Sequence, residues 1–342
     1  MNINKIYTLT FHAADNYGAV WQTFALQYYL KTLGVKTQCI DYKPNYFDYN
    51  VFSLSKNKAT IKNIIQTVIT LPTRIIRRIY FYKFRKAYID LYSSPDYRKD
   101  INAVFIVGSD QVWNKCITGG ELDANFFLEG VLSSKKYSYA ASIGYDTIHN
   151  IQEVYEKLTN FRGIGVRELS VYEILSTKND NRIIWNVDPV FLLSSDVYLN
   201  MTNYRVRDKY VLIYTLETNI TGVRDVIKKY KSTHKVISIG SFRNIYGSDV
   251  HYRCASPIDF IGLISNADVV ISNSFHTVAF SIIFNRTIEY IPLKNGRGGR
   301  IQTLFSLIGN EGNFCISSKC DKTQLNQLIK NSKNYLERII RA

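Results

Sequence analysis

The stretch Ala267 to Leu293, ADVVISNSFHTVAFSIIFNRTIEYIPL, limits the folds open to this chain more than any other. Val269, Val270 and Ile271 form a short apolar run behind Asp268, as a buried strand does. Ser272, Asn273 and Ser274 follow, three helix-capping residues in a row. The spacing then predicts a helix opening near His276, with Val278, Ala279, Ile282 and Ile283 on its inner side. Ile288 to Leu293 reads as the next buried strand. Strand, polar turn, helix and strand make a βαβ crossover, which belongs to a parallel sheet. Ligands of such sheets sit past the carboxyl ends of the strands, against helix N-termini whose free N–H groups favour anions. His276 falls at that place, either as a functional imidazole or as a satisfied capping or core histidine.

The pattern recurs along the chain. Lys5 to Phe11 predicts a strand, Trp21 to Gly34 an amphipathic helix with Gly34 as its C′ residue, and Val35 to Tyr42 the next strand. The turn Asp15-Asn16-Tyr17-Gly18 has one glycine, not the G-x-G-x-x-G of a dinucleotide site, so a nicotinamide or flavin cofactor is not supported. It either sets polar groups at a helix N-terminus or is ordinary loop chemistry, with Gly18 meeting a backbone need. Residues 44–100 read as an insertion, helical from Ile61 to Tyr92 and broken at Pro72. Within it, Arg74 to Lys86 interleaves cations with Ile, Tyr and Phe. That segment is either a surface for anionic lipid headgroups or a lipid-linked phosphate, or a solvated face whose apolar side packs on the domain.

Ala103 to Val107 predicts a strand that runs into GSDQVWN, Gly108 to Asn114. Ser109, Asp110 and Gln111 then stand at a carboxyl end, unless the segment is only a turn with Trp113 packed as core. Lys136 to Ala141 and Arg162 to Val166 are further strands, with helices at Glu153 to Thr159 and Ser170 to Ser176. Arg167 follows the second of these strands, placed for an anion or for a local salt bridge with Glu168 or a neighbour. Ile183 to Trp185 and Val187 lead to Asp188-Pro189, which closes the first strand set. Residues 194–209 are polar and mixed, and a second α/β series starts at Tyr210. Its loop KNGRGGR, Lys294 to Arg300, sets Arg297 and Arg300 before a helix from Ile301 to Ile308. That suits a phosphate or carboxylate, or is an ordinary charged loop. Gln324 to Ala342 reads as one or two helices that return to the first domain.

With 342 residues, two domains are expected, residues 1–200 and 201–342. Lys and Arg number 43 against 28 Asp and Glu, a net charge of +15. Such a charge admits nucleic acid, an anionic membrane surface or anionic small substrates. No nucleic-acid-binding motif is present, which argues against the first. The five cysteines are scattered, without metal spacing, so free buried thiols are expected and neither a disulfide framework nor a metal site. The start MNINKIYTLTF lacks the long apolar stretch of a secretion signal, and no apolar run approaches the ~18 residues of a membrane span. A soluble, cytoplasmic protein is the expectation.

NYGAVWQTFALQYYL (Asn16 to Leu30), VGSDQVWN (Val107 to Asn114), VRE (Val166 to Glu168), DP (Asp188, Pro189) and SNSFHTVAFSIIFNR (Ser272 to Arg286) occur in this order. In them the chain resembles the polysaccharide pyruvyl transferase family over nearly its whole length. The resemblance implies a GT-B-like α/β architecture, two Rossmann-like domains with parallel sheets facing across a cleft. It implies transfer of pyruvate from phosphoenolpyruvate onto two hydroxyls of one sugar, giving a cyclic ketal. The acceptor it implies is a sugar of a bacterial surface polysaccharide, often carried on a polyprenyl phosphate at the inner face of the plasma membrane. Neither a metal nor a cofactor beyond the donor substrate is implied.

The family's functional histidine corresponds to His276, expected as acid/base. Some members carry an arginine where this chain has Ser274, so Arg167 and Arg300, with Arg297, are the expected anion holders and Ser274 an extra donor. Asn16, Tyr17, Gly18, Ser109, Asp110 and Gln111 are expected on the acceptor side. Two other functions fit the same cleft or charge: a GT-B glycosyltransferase using a nucleotide sugar, and a non-catalytic membrane-associated partner in polysaccharide assembly.

Overall fold

The computed structural model describes residues 5–47, 61–144, 150–204, 208–216, 220–240, 243–293 and 298–341. The first sheet is built from β1 (Lys5–Leu9), β2 (Lys36–Ile40), β3 (Leu91–Tyr92), β4 (Val104–Val107), β5 (Lys136–Ala141), β6 (Gly163–Val166) and β7 (Ile183–Trp185). These strands are short and nearly all buried, as apolar runs without alternation require. All pair in parallel, in the order β3-β2-β1-β4-β5-β6-β7. Helices α1 (Tyr17–Thr32), α2 (Ile61–Tyr88), α3 (Ile151–Lys157) and α4 (Leu169–Ser176) connect them, and α5 (Ser195–Leu199) occupies part of the connecting segment.

The second sheet contains β8 (Tyr210–Tyr214), β9 (Lys235–Ile239), β10 (Val250–Tyr252), β11 (Val269–Ser272), β12 (Thr287–Tyr290) and β13 (Cys315–Ile316). Its order is β10-β9-β8-β11-β12-β13, parallel except for the β12–β13 edge pair. Helices α6 (Ile220–Tyr230), α7 (Pro257–Asn266), α8 (Phe275–Ile283) and α9 (Gly299–Leu307) belong to it. Helix α10 (Thr323–Arg341) lies against the first sheet, where Tyr335 donates to the Ser138 carbonyl at 3.0 Å. The arrangement is GT-B-like, with the two sheets presenting strand ends to a common cleft.

Five sequence expectations change. Helix α1 is not amphipathic. Tyr17 to Gln27 are all buried, because the helix packs on its own sheet and on the second domain at once. Trp21 Nε1 donates to the Pro257 carbonyl at 3.2 Å, and Tyr17 stacks on Phe260 with centroids 4.0 Å apart. One apolar core therefore runs through both domains. Second, Pro72 does not break α2, which is continuous through it. The carbonyl that proline leaves without an N–H belongs to Val68, on a solvent-facing turn (64 % exposed). Third, Arg74 to Lys86 is not wholly a surface. Arg77 donates to the Asp15 carbonyl at 3.1 and 2.6 Å, while Arg78 and Arg85 pair with the Asp15 carboxylate at 3.1 and 3.0 Å. Fourth, the cysteines are free, but only Cys39 is buried, since it alone sits on a core strand. Fifth, helix α2 ends at Tyr88, short of the expected Tyr92, because Leu91 and Tyr92 pair with β2 as β3; the short strands β10 and β13 carry no periodic signal.

Candidate active site

Parallel register brings the loops after β1, β4 and β6 to one edge of the first sheet, and the loop after β11 to the facing edge of the second. Between them lies a cleft of about 450 Å³. Asn16, Tyr17, Gly18, Asp110 and Gln111 line it from the first domain; Ser274, His276 and Arg300 line it from the second. Arg297 lies outside the described residues.

His276 occupies the first turn of α8. Ser274 is the N-cap, but its side chain makes no capping hydrogen bond. The imidazole is gripped from both sides. Its Nε2 lies 3.3 Å from Asp188 Oδ2, within ion-pair range but off the line of a hydrogen bond. Its Nδ1 edge is turned toward Gly18 in the first turn of α1. A Cβ at position 18 would stand 2.0 Å from Nδ1. Gly18 is thus required for space and has no left-handed backbone to satisfy.

Asp188 is the buried hub behind the histidine. Arg167 Nη1 donates to its Oδ2 at 2.8 Å and Ser109 Oγ lies 3.4 Å from the same oxygen. Burial alone would raise the Asp188 carboxyl; the facing His276 and then Arg167 outweigh it and hold the group well below the usual carboxylate range. Burial also opposes the Arg167 charge, but Asp188, Glu168 and Asp110 overcome it and raise that group. Ser109 and Arg167 therefore stand behind the cleft rather than in its wall. The sequence assigns Asp188 no role and Glu168 only that of a salt-bridge partner for Arg167. The signal that picked out His276, a polar residue just past a strand's carboxyl end, applies equally to Asp188 after β7.

Arg167 Nε and Nη2 are buried without hydrogen-bond partners, as is Glu168 Oε2. Buried guanidinium donors in that state mark a place where an acceptor is missing. They border a smaller cavity of about 280 Å³ that shares Phe275 and Arg300 with the main cleft. Arg167 and Arg300 both lie over the Phe275 ring, at 5.3 and 5.4 Å, and Arg300 approaches a carboxylate only at 4.0 Å, from Glu168. Two cations converge here with donors to spare, next to the N-terminus of α8.

The remaining predicted residues have other engagements. Asn16 caps α1 through Ala19 N at 3.3 Å. The Tyr17 hydroxyl donates to the Ala255 carbonyl at 2.7 Å, so its ring is a wall of the cleft. Asp110 adopts a positive φ of 75° and accepts from Gln111 N at 2.9 Å, and Gln111 Oε1 accepts from Asn114. Among the described residues no cluster of three His, Cys, Asp or Glu side chains could hold a metal ion, and no helix is long and apolar enough to cross a membrane.

A GT-B-like pair of domains with an imidazole and arginines at their junction defines a fold class, the two-domain α/β proteins of GT-B architecture. Within it the family is clear: the sequence profile of the polysaccharide pyruvyl transferases matches residues 16–287, and the chain belongs to that family. It is a transferase. No curated protein matches the sequence. Among solved structures, the UDP-GlcNAc 2-epimerase of Methanocaldococcus jannaschii aligns with a TM-score of 0.50 at 11% identity, over 98% of each chain. That of Neisseria meningitidis bound to UDP-GlcNAc aligns at 0.48 and 12% identity, over 99% of this chain and 94% of that one. The first of these likenesses supports the two-domain fold.

Proposed function

We propose that the protein moves the pyruvyl group of phosphoenolpyruvate onto two hydroxyls of one sugar in a bacterial surface polysaccharide or its polyprenyl-phosphate-linked precursor, at the cytoplasmic face of the membrane. The observation that carries the reading is the convergence of His276, Arg300 and the unsatisfied donors of Arg167 at one interdomain junction.

Phosphoenolpyruvate offers a carboxylate and a phosphate to those cations. His276, with Nε2 held against Asp188, works through Nδ1, on the edge that lies close against Gly18 in the cleft wall. It takes the proton of the first sugar hydroxyl as that oxygen bonds to the central carbon, and a proton is delivered to the methylene carbon, making a methyl group. The carbon–oxygen bond to phosphate then breaks, the second hydroxyl attacks the same carbon, and its proton leaves with the phosphate. One phosphoenolpyruvate and one diol thus give one ketal and one phosphate. Arg300, Arg297 and Arg167 stabilise the donor carboxylate and the departing phosphate. Ser274 adds a hydroxyl donor. Asn16, Tyr17, Asp110 and Gln111 form the acceptor wall, with Ser109 behind it.

The test is phosphate release and ketal formation by purified protein supplied with phosphoenolpyruvate and candidate glycosides. His276→Ala should lose about 10²-fold or more of that rate while melting like the parent. Full retention of rate in the variant overturns the assignment. Thermal stabilisation by UDP-sugars, with none by phosphoenolpyruvate, would instead favour a glycosyltransferase.

A further inference from the structure

We propose that a second cavity, distinct from the interdomain cleft, binds the phosphate of an amphiphilic phosphate ester whose apolar chain lies along α2. The site stands on its own geometry; only the identification of that ester with the acceptor's own phosphate end rests on the transferase reading.

The cavity, about 520 Å³, lies between α2 and the segments that follow β1 and β2. Lys43, Arg78, Arg85 and Lys86 line it, together with His12 and Asp41. Among the described residues, two carboxylates serve these cations. Asp41 accepts from Lys43 at 2.8 Å and lies 2.9 Å from His12 Nε2; Asp15 pairs with Arg78 and Arg85. Among the described residues, four Lys or Arg side chains stand against two carboxylates, an excess of two positive charges before His12 is counted. In a concave site with low-dielectric walls such an excess recruits a dianion.

The ligand's other parts follow from what adjoins the cavity. Residues 12–18 form a partition. His12 and Ala13 face the cationic cavity, and Asn16, Tyr17 and Gly18 face the cleft. Asp15, between them, is pinned by three arginines of α2. A phosphate at this site is therefore one loop away from a sugar in the cleft. On the other side, Ile65, Val68, Ile69, Ile76, Ile79 and Tyr82 are all exposed on α2. Steps of three and four put most of them on one face. The row Ile79, Tyr82, Lys86 carries that face into the cavity wall, where Tyr82 belongs to both features. From residue 65 to 82 the ridge runs on the order of 25 Å. An exposed apolar strip of that length, ending in a cationic pocket, matches a chain that ends in a phosphate.

The experiment is calorimetric titration of the full chain with decyl phosphate below its micelle concentration, alongside inorganic phosphate and decyl maltoside. Decyl phosphate should bind at least about tenfold more tightly than either control. Lys43→Gln with Lys86→Gln, both at exposed positions, should weaken decyl phosphate about tenfold and leave decyl maltoside unchanged. Ile76→Ser with Ile79→Ser should erase the advantage of decyl phosphate over inorganic phosphate. Equal binding of decyl maltoside, or indifference to the lysine pair, overturns the proposal. So does sedimentation with phosphatidylglycerol vesicles that persists in the lysine variant while decyl phosphate fails to bind, since that describes a flat bilayer contact. Self-association abolished by the isoleucine pair, with decyl phosphate binding intact, gives the ridge to a second copy and likewise overturns it. The titration needs no turnover, so a protein that passes it yet forms no ketal would keep this site and lose the transferase reading.

Discussion

Gly18 and His276 come from opposite ends of the chain, and the imidazole sits where a side chain at position 18 would be. Gly18→Ala ought to stabilise a helix in isolation, since alanine is the better helix former by about 1 kcal/mol. Here the added Cβ has to displace the ring. We expect the variant to lose transfer activity by at least about tenfold with a near-normal melting temperature, and rescue of wild-type turnover would refute the packing argument. His12 supports a prediction about pH. Burial opposes its charge, and the Cys39 sulfur and Asp41 carboxylate overcome that and lift it from 6.5 to about 9. A raised histidine stabilises the fold fully below about 6.5 and loses that contribution as pH climbs through about 9, by up to about 3 kcal/mol. Thermal melts across that window should fall more steeply for the parent than for His12→Gln; parallel curves would show that His12 is not charged in the folded state.

At the scale of elements, α1 differs from the amphipathic helix expected. YGAVWQTFALQYYL carries apolar residues all around the helix, the pattern of a helix buried on every side. Its polar members, Gln22, Thr23 and Gln27, are nevertheless buried, and their donors find partners: Gln22 donates to Thr10 and the Ala19 carbonyl, Thr23 to the same carbonyl, and Gln27 to that of Asp90, while Gln22 Oε1 accepts no hydrogen bond. Trp21 is the seam between the domains. Trp21→Phe removes the donor to the Pro257 carbonyl and some buried volume, which should cost about 3 kcal/mol and lower the melting temperature. An unchanged melt would mean the domains are held elsewhere. The β-α order, the Gly34 helix stop (φ 81°) and the strand preceding His276 were legible because each depends on residues a few positions apart. Passage of α2 through Pro72 was not, since a proline's effect depends on whether the freed carbonyl faces water.

For the whole molecule, two sheets share one core, and α10 from the end of the chain packs on the first of them. Tyr335 and Leu336 are buried there. Leu336→Ala should cost about 3 kcal/mol and shift a single cooperative transition to lower temperature. Two separate transitions, only one of them moved, would show that the domains unfold independently. The net charge of +15 has the same global character. Part of the cationic run in α2 is spent internally on Asp15, and the rest stays on the walls of an outer cavity.

The amino-acid sequence by itself determined the alternation of strands and helices, the parallel sheets, the family, and which polar residues stand just past the strand ends. Those follow from side-chain period, caps and turn chemistry, which act over a few residues. Only the tertiary structure decided that Gly18 is a socket for His276, that Asp188 ties the histidine to Arg167, and that three arginines of α2 turn inward. Each of those depends on which distant surfaces are buried together, and burial is a property of the packed whole, with no counterpart in any local stretch of chain.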